Sequence, residues 1–425
     1  MKASMLTERL ERLERADHPL AVTEVEDGVI VPPLSREWND CCVTNRHGAI
    51  VDGSVMEAEE EFLRSVASLG QVGRVGQVGE GDEIREGTVL FAGYYNSHWG
   101  HFLVDTLSRL WALFREQGAP RVDKIVFCLH EGEKPFTGGN IGAALRLLGI
   151  ADKIEFISRP TRYRRVVVGE IGVYPRSIFA TDVRVVYDRL REAALREPPT
   201  AAYSPRIYMS RSRLPKAVKN EAGIRQLDTL MKAWGYSVIH PQEMSLTDLV
   251  HALDGAEEVA ALSGTLPHNL LLGRDGTRLV ILEKYPTLNN YQPGVDRLRR
   301  LQVTPIDCGA FIRPVSAGLG PFIIYPTDQL QAWACDHEKI IPAPLTDRRR
   351  REYLRKFFRQ FRRNYGERWV MPWWLVDETA ICCEAYRLTE QTFGEWLSGL
   401  RPLTLRQALS PRRIARWLRS KMHGR

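Results

Sequence analysis

Asn96, His98, His101 and Asp105 fall inside one ten-residue stretch, and two of them can carry out proton transfer together. Downstream, Phe102, Leu103, Leu107, Leu110, Trp111 and Phe114 recur at helical spacing. The pattern predicts a loop feeding a helix that faces the core. On such a helix His101 and Asp105 are four positions apart and share a face. A carboxylate one turn from an imidazole holds it in one tautomer and raises its basicity, as general-base chemistry requires. The alternative at this point is a helix start whose His and Asp only satisfy local hydrogen bonds.

Two other stretches gather polar groups where a sheet could present them. In Ala260–Leu272 a strand ends at Leu262, a Ser263-Gly264-Thr265 turn follows, and a helix carrying His268 and Asn269 begins near Pro267. A strand-turn-helix junction exposes backbone N–H groups and the positive end of a helix dipole, both suited to a diphosphate. After the strand containing Tyr208, the residues Ser210, Arg211, Arg213 and Lys216 cluster four donors beyond a strand's carboxyl end, where open α/β sheets bind ligands. Their cations suit a pyrophosphate, and the competing reading is an exposed basic loop. Glu283 closes a later strand and joins the candidate ligand contacts. The sequence holds no D-x-D, Walker loop, H-E-x-x-H or G-x-S-x-G pattern, which weighs against metal-held sugar nucleotides and serine hydrolysis.

The elements that must position these groups alternate. Strands are predicted at 124–129, 153–157 and 163–168, with a helix at 141–148. A helix at 182–196 leads to a linker, Glu197-Pro-Pro-Thr-Ala-Ala. Beyond it come strands at 206–210, 236–240, 258–262 and 278–283, separated by helices at 220–234, 245–253 and 266–272. This is the rhythm of α/β domains with largely parallel sheets, the second of doubly wound type. An acidic helix is expected near 56–67, and the glycine repeat at 70–79 reads as a turn.

At 425 residues, 44% hydrophobic and 26% charged, the composition suits a soluble globular chain of two domains and an appendage. The seven cysteines fit neither a disulfide framework nor a zinc site, and Met1–Leu10 lacks a signal-like apolar core. Together these point to reducing cytosol. The net charge of +7 is uneven: residues 346–370 hold ten Lys/Arg against three acids, and residues 401–425 hold eight against none. There, Leu354, Phe357, Phe358 and Phe361 form a stripe flanked by arginines. A second helix opening at Ser410-Pro411 places Ile414, Trp417, Leu418 and Met422 on one face. Such basic amphipathic helices favour an anionic membrane surface, or pack on the protein with a solvated basic face. Charge beside apolar stripes, without a nucleic-acid module, argues against nucleic acid.

Four ordered segments together resemble glycosyltransferase family 61: Tyr95–Trp111, Ile207–Arg213, Val238–Ser245 and Leu262–Asn269. The resemblance spans roughly residues 90–285. It implies the two-domain GT-B fold and inverting transfer from a nucleotide sugar without a required metal. The family's His followed four positions later by Asp or Glu falls on His101 and Asp105, while His98 belongs to the bacterial-looking version of the motif. The chain departs from the family at the phosphate turn, keeping one glycine and the closing Asn269.

The expectation is therefore an α/β protein with two Rossmann-like domains of GT-B type and a cleft between them. Residues 1–197 form the acceptor side, 198–320 the nucleotide-sugar side, and 321–425 a helical, basic extension. The candidate catalytic residues are His101 and Asp105, with His98 beside them. Which of His101 and Asp105 takes the proton is open. Candidate substrate contacts are Asn96, Tyr208, Ser210, Arg211, Arg213, Lys216, Ser263, Gly264, Thr265, His268, Asn269 and Glu283. The expected activity is transfer of a sugar to a saccharide or glycolipid acceptor in surface polysaccharide or lipopolysaccharide assembly. No cofactor or metal is expected beyond the nucleotide-sugar donor. The expected location is cytoplasmic, at the inner face of the cytoplasmic membrane if the basic helices dock there. The alternative is a non-catalytic sugar- or nucleotide-binding subunit of an assembly complex.

Overall fold

A computed structural model describes residues 19–33, 41–47, 51, 83–174, 178–284, 289, 291–309, 320–324, 326–346, 348, 349, 352, 353, 356, 357, 360 and 363. The expected acidic helix at 56–67, the glycine repeat at 70–79 and the helix opening at Ser410 lie outside the described residues. The chain divides into two compact units. The first comprises residues 1–209, 236–281 and 288–304; the second comprises 210–235, 282–287 and 305–425.

In the first unit a six-stranded sheet contains β1 (Val22–Val31), β2 (Cys42–Thr44), β3 (Arg85–Tyr94), β4 (Lys124–Cys128), β5 (Ile154–Ile157) and β6 (Thr161–Gly169), in the order β2-β1-β6-β3-β4-β5. The pairs β6–β3, β3–β4 and β4–β5 are parallel, as the alternation predicted. The edge made by β1 and β2 is antiparallel and was not foreseen. The central strands are covered on both faces, which explains why β4 reads as a continuous apolar run. In β3, Leu90 and Ala92 enter one core with Ile125, Phe127 and Val167. Val89 and Phe91 enter the opposite one with Val126, Cys128 and Val168.

The second sheet contains β7 (Arg206–Met209), β8 (Ser237–Ile239), β9 (Glu258–Leu262), β10 (Arg278–Glu283) and β11 (Gln302–Asp307), in the order β8-β7-β9-β10-β11. Both β8 and β9 pair parallel with β7. In sequence order this is 2-1-3-4-5, a doubly wound arrangement whose direction of winding reverses between its first and third strands. Those two strands end at Met209 and Leu262. Ile207, Met209, Val259 and Ala261 share a core with residues of the helices α1 (Gly139–Leu147), α2 (Arg184–Leu195) and α3 (Leu246–Gly255).

The second unit corrects one expectation. The helix predicted over 220–234 is broken, because Glu221–Ala222 leave helical geometry and pair parallel with Phe322–Ile323. Gly223 makes the break at φ +100°, where a Cβ would collide with the Ile324 carbonyl. Helix then resumes at Ile224–Ala233. Of the basic stripe at 351–363, Phe357 is buried. Among the described residues no helix is long and apolar enough to cross a membrane.

Candidate active site

The chain leaves β3 at Tyr94 and crosses a short loop into the helical segment 99–114. Asn96 shapes that loop: its Oδ1 accepts from the His98 N–H at 3.0 Å, and its own N–H donates to Thr106 Oγ1 at 3.1 Å. The segment begins as α-helix at Trp99–His101, widens into a π-turn over Phe102–Thr106, tightens to 3₁₀ at Leu107–Leu110, and ends as α-helix at Trp111–Phe114. Phe102, Leu103, Val104 and Thr106 are all buried, so the π-turn seats consecutive side chains in the core. Such bulges are rare and frequent at functional sites. Here the Leu103 carbonyl accepts from the Tyr187 hydroxyl of α2 at 2.8 Å.

That geometry leaves His101 exposed and Asp105 half-buried on the same side. His101 Nδ1 lies 2.6 Å from Asp105 Oδ2, with the imidazole 46% exposed and the carboxylate 22%. An ionised carboxylate only accepts, so Nδ1 carries the proton and Nε2 presents a lone pair. The hydrogen bond to Asp105 holds His101 above its ordinary value; partial burial opposes this and the carboxylate's charge adds to it. His98 is exposed, its ring edge-on to His101 at 5.7 Å between centroids.

The turn after β9 meets this segment directly. A Cβ on Gly100 would sit 2.5 Å from Thr265 Cγ2, so only glycine allows the approach. One step away, Trp99 Nε1 donates to Asn269 Oδ1 at 2.8 Å, while Asn269 Nδ2 donates to the Leu266 carbonyl at 2.7 Å. Asn269 is thus a buried clamp between the two motifs. Ser263 is buried; Gly264 sits at φ +125° with nothing among the described residues within 4 Å of where a Cβ would be. The helix expected near Pro267 is a six-residue 3₁₀ turn, Pro267–Leu272. So short a run sums few peptide dipoles and offers a diphosphate little of the helix-dipole attraction expected there. Its hydroxyls and the open backbone at Gly264 carry what remains.

His268 is 1% exposed, with both ring nitrogens buried. Burial pushes it down to about 4, so it is neutral at ordinary pH. Between His268 and His101 stands Tyr291, which the sequence reading missed. Its ring is edge-on to His101 at 6.3 Å and to His268 at 6.2 Å. Burial first, then the Asp105 carboxylate, raise its phenol above the ordinary value. Tyr291 belongs to no recognisable motif: it is the residue before the short helix Gln292–Leu298, with Pro293 in the first turn as the local signal. Tyr208, by contrast, is fully buried within β7.

The remaining candidates belong to the second unit. Ser210 is buried and donates to Asp228 Oδ1 at 2.6 Å, and Ser212 Oγ donates to Asp228 Oδ2 at 2.5 Å. Both hydroxyls therefore brace the loop. Arg211 is half-buried with Nε 3.6 Å from Glu221 Oε1, and Arg213 and Lys216 are exposed. Lys284, unforeseen, is buried with Nζ 2.6 Å from Glu221 Oε1. Glu283 is half-buried at the end of β10, its carbonyl accepting from the Cys308 N–H at 2.8 Å. Among the described residues no group of three or more His, Cys, Asp or Glu side chains is placed to hold a metal ion.

The family model described as Glycosyltransferase 61 matches residues 99–280. That match supports a glycosyltransferase of this family, and it covers His101, Asp105 and the Ser263–Asn269 turn. Asn96, His98, Glu283 and Tyr291 fall outside the matched residues. No curated protein matches the chain.

Proposed function

We propose that this protein is an inverting, metal-independent glycosyltransferase in which His101 is the general base. The observation that carries the reading is the 2.6 Å contact of His101 Nδ1 with Asp105 Oδ2, with the imidazole on the exposed side. Asp105 holds the ring from within and His101 Nε2 faces outward, so the imidazole rather than the carboxylate takes the proton. The acceptor hydroxyl gives its proton to Nε2 as its oxygen attacks the anomeric carbon. The bond from that carbon to the diphosphate oxygen breaks, and the electron pair leaves on the diphosphate. One displacement from the opposite face inverts the configuration. The backbone at Gly264 and the hydroxyls of Ser263 and Thr265 are our candidates for meeting the charge on the leaving group. In the second unit, Arg211, Arg213 and Lys216 are proposed as phosphate-binding cations.

The accompanying fold reading is GT-B, with residues 1–197 on the acceptor side and 198–320 on the donor side. We further assign the chain to surface polysaccharide or lipopolysaccharide assembly, with a saccharide or glycolipid acceptor, at the inner face of the cytoplasmic membrane. The basic, apolar-striped sequence of residues 346–370 and 401–425 supports that location.

The test is a panel of nucleotide sugars, scored by thermal stabilisation and by release of nucleotide. A true donor raises the melting temperature and is turned over. His101→Ala then lowers turnover by about 10²–10⁴-fold and leaves nucleotide binding in place. Unchanged turnover in that variant overturns the assignment of the base.

A further inference from the structure

The dyad has an unfinished side. Asp105 spends Oδ2 on His101, while Oδ1 is buried with no hydrogen-bond partner among the described residues. A buried carboxylate oxygen left in that condition costs free energy unless a donor closes on it. Four groups face the pair: His98 from the segment itself, Tyr187 from α2, His268 from the 3₁₀ turn, and Tyr291, the residue before Gln292–Leu298. Tyr187 already donates its proton to the Leu103 carbonyl. His268 is neutral. Tyr291 is the one whose phenol lies beside the Asp105 carboxylate, its ring edge-on to both histidines.

We propose that Tyr291 is a positioning residue for the dyad, its phenol donating to Asp105 Oδ1 and fixing the carboxylate that holds His101. Hydrogen bonds of this kind are often long in an unliganded site and tighten when substrate binds. The phenol is suited to it, because burial and the neighbouring carboxylate keep its proton on at any working pH. Donation to Oδ1 draws charge away from Oδ2, so Asp105 orients His101 without taking its proton. The backbone fixes the residue in turn: the Tyr291 N–H donates to Asn289 Oδ1 at 3.0 Å, and its carbonyl accepts from the Val295 N–H at 3.2 Å.

This inference rests on the reading of His101 as the base, and its test has a readout that does not depend on turnover. The titration of His101 is followed by NMR of the imidazole in the full-length protein and in Tyr291→Phe. Losing the phenol leaves the carboxylate a stronger partner for the imidazolium, so the His101 pKa rises by roughly half a unit to one unit. Incorporating 3,5-difluorotyrosine at 291, a stronger donor of nearly the same shape, moves it the other way. In turnover, Tyr291→Phe lowers kcat by about three- to tenfold with the donor KM nearly unchanged, and moves the acid limb of kcat/KM with the titration. An unmoved titration in both variants overturns the proposal. A moved titration alongside undiminished turnover in His101→Ala would instead retire the base assignment and keep the coupling. The fluorinated protein keeps the test decisive if the phenylalanine variant folds poorly.

Discussion

Gly100 and Thr265 approach so closely that a methyl group on the glycine α-carbon would stand 2.5 Å from the threonine Cγ2 and 2.6 Å from its Cβ. The two residues are 165 positions apart in sequence, and each belongs to a different candidate motif. Their contact sets the distance between the helical segment that carries His101 and the turn that follows β9. Gly100→Ala must push them apart, because the opposing atoms sit at the base of a β-branched side chain and cannot swing away. We expect a loss of about 1–3 kcal/mol in stability, the usual cost of overpacking. Turnover should fall more than stability accounts for. Urea unfolding and donor turnover measured side by side check this, and a variant with both unchanged would show that the spacing is not set here.

The His101–Asp105 pair makes a pH prediction of definite sign. A base must be neutral to act, and the Asp105 hydrogen bond holds His101 above its ordinary value of 6.5. The acid limb of kcat/KM should therefore have its midpoint above 6.5, and Asp105→Asn should move it down while slowing turnover. Stability runs the other way. A raised histidine contributes fully below its unfolded value and loses the contribution as pH rises through the folded one. The gap in stability between the native protein and Asp105→Asn should thus be wider at pH 6 than at pH 9. With the imidazole 46% exposed, solvent screening keeps that gap below about 1 kcal/mol.

His268 gives the opposite dependence. Its folded value is pushed down to about 4 from 6.5, so the unfolded chain binds the extra proton throughout that window. Stability contributed by keeping it neutral is complete above 6.5 and is lost as pH falls toward 4. The loss is on the order of 3 kcal/mol, taking each unit as about 1.4 kcal/mol. His268→Gln fills similar space without titrating, so its stability should fall less steeply between pH 6.5 and 4. Parallel slopes for the two proteins across that range would contradict the burial argument.

Periodicity made much of this framework legible. The apolar run at 124–129, the amphipathic spacing near 182–196 and the strand-helix rhythm from 206 to 283 each reappear as elements within a few residues of their expected bounds. The His101–Asp105 spacing was readable because both helical and π geometry bring residues four apart onto a common side. What escaped were features that local pattern does not encode. The π-turn at Phe102–Thr106 depends on how consecutive side chains seat in a core formed by distant strands. The break at Gly223 depends on a strand about a hundred residues later. Tyr291 acquires its place only through tertiary contact with His101 and His268. Ser210 looked like a free donor, and its burial against Asp228 is invisible from spacing alone.

The buried pair in the second unit supports a prediction that separates charge from volume. Lys284 Nζ stands 2.6 Å from Glu221 Oε1, with the two side chains 6% and 2% exposed, and the ammonium lies over the Phe322 ring at 4.4 Å. Burial lowers the Lys284 pKa; Glu221 resists that shift, and Arg211 adds to it. Removing one partner strands the other in a low-dielectric setting, so Lys284→Met should cost about 3–5 kcal/mol. Glu221 would then keep Arg211, at the longer distance of 3.6 Å. Replacing both residues, as Lys284→Met with Glu221→Leu, removes the stranded charge, and the double variant should recover most of the loss. Arg211 would in turn lose its anchor, so phosphate affinity should weaken in the double variant even where stability returns. Denaturant unfolding of the two single variants and the double, with inorganic phosphate binding measured on each, decides both parts. Additive losses across the cycle would mean that the pair is not coupled, and undiminished phosphate binding in the double variant would mean that Glu221 does not hold Arg211 for an anion.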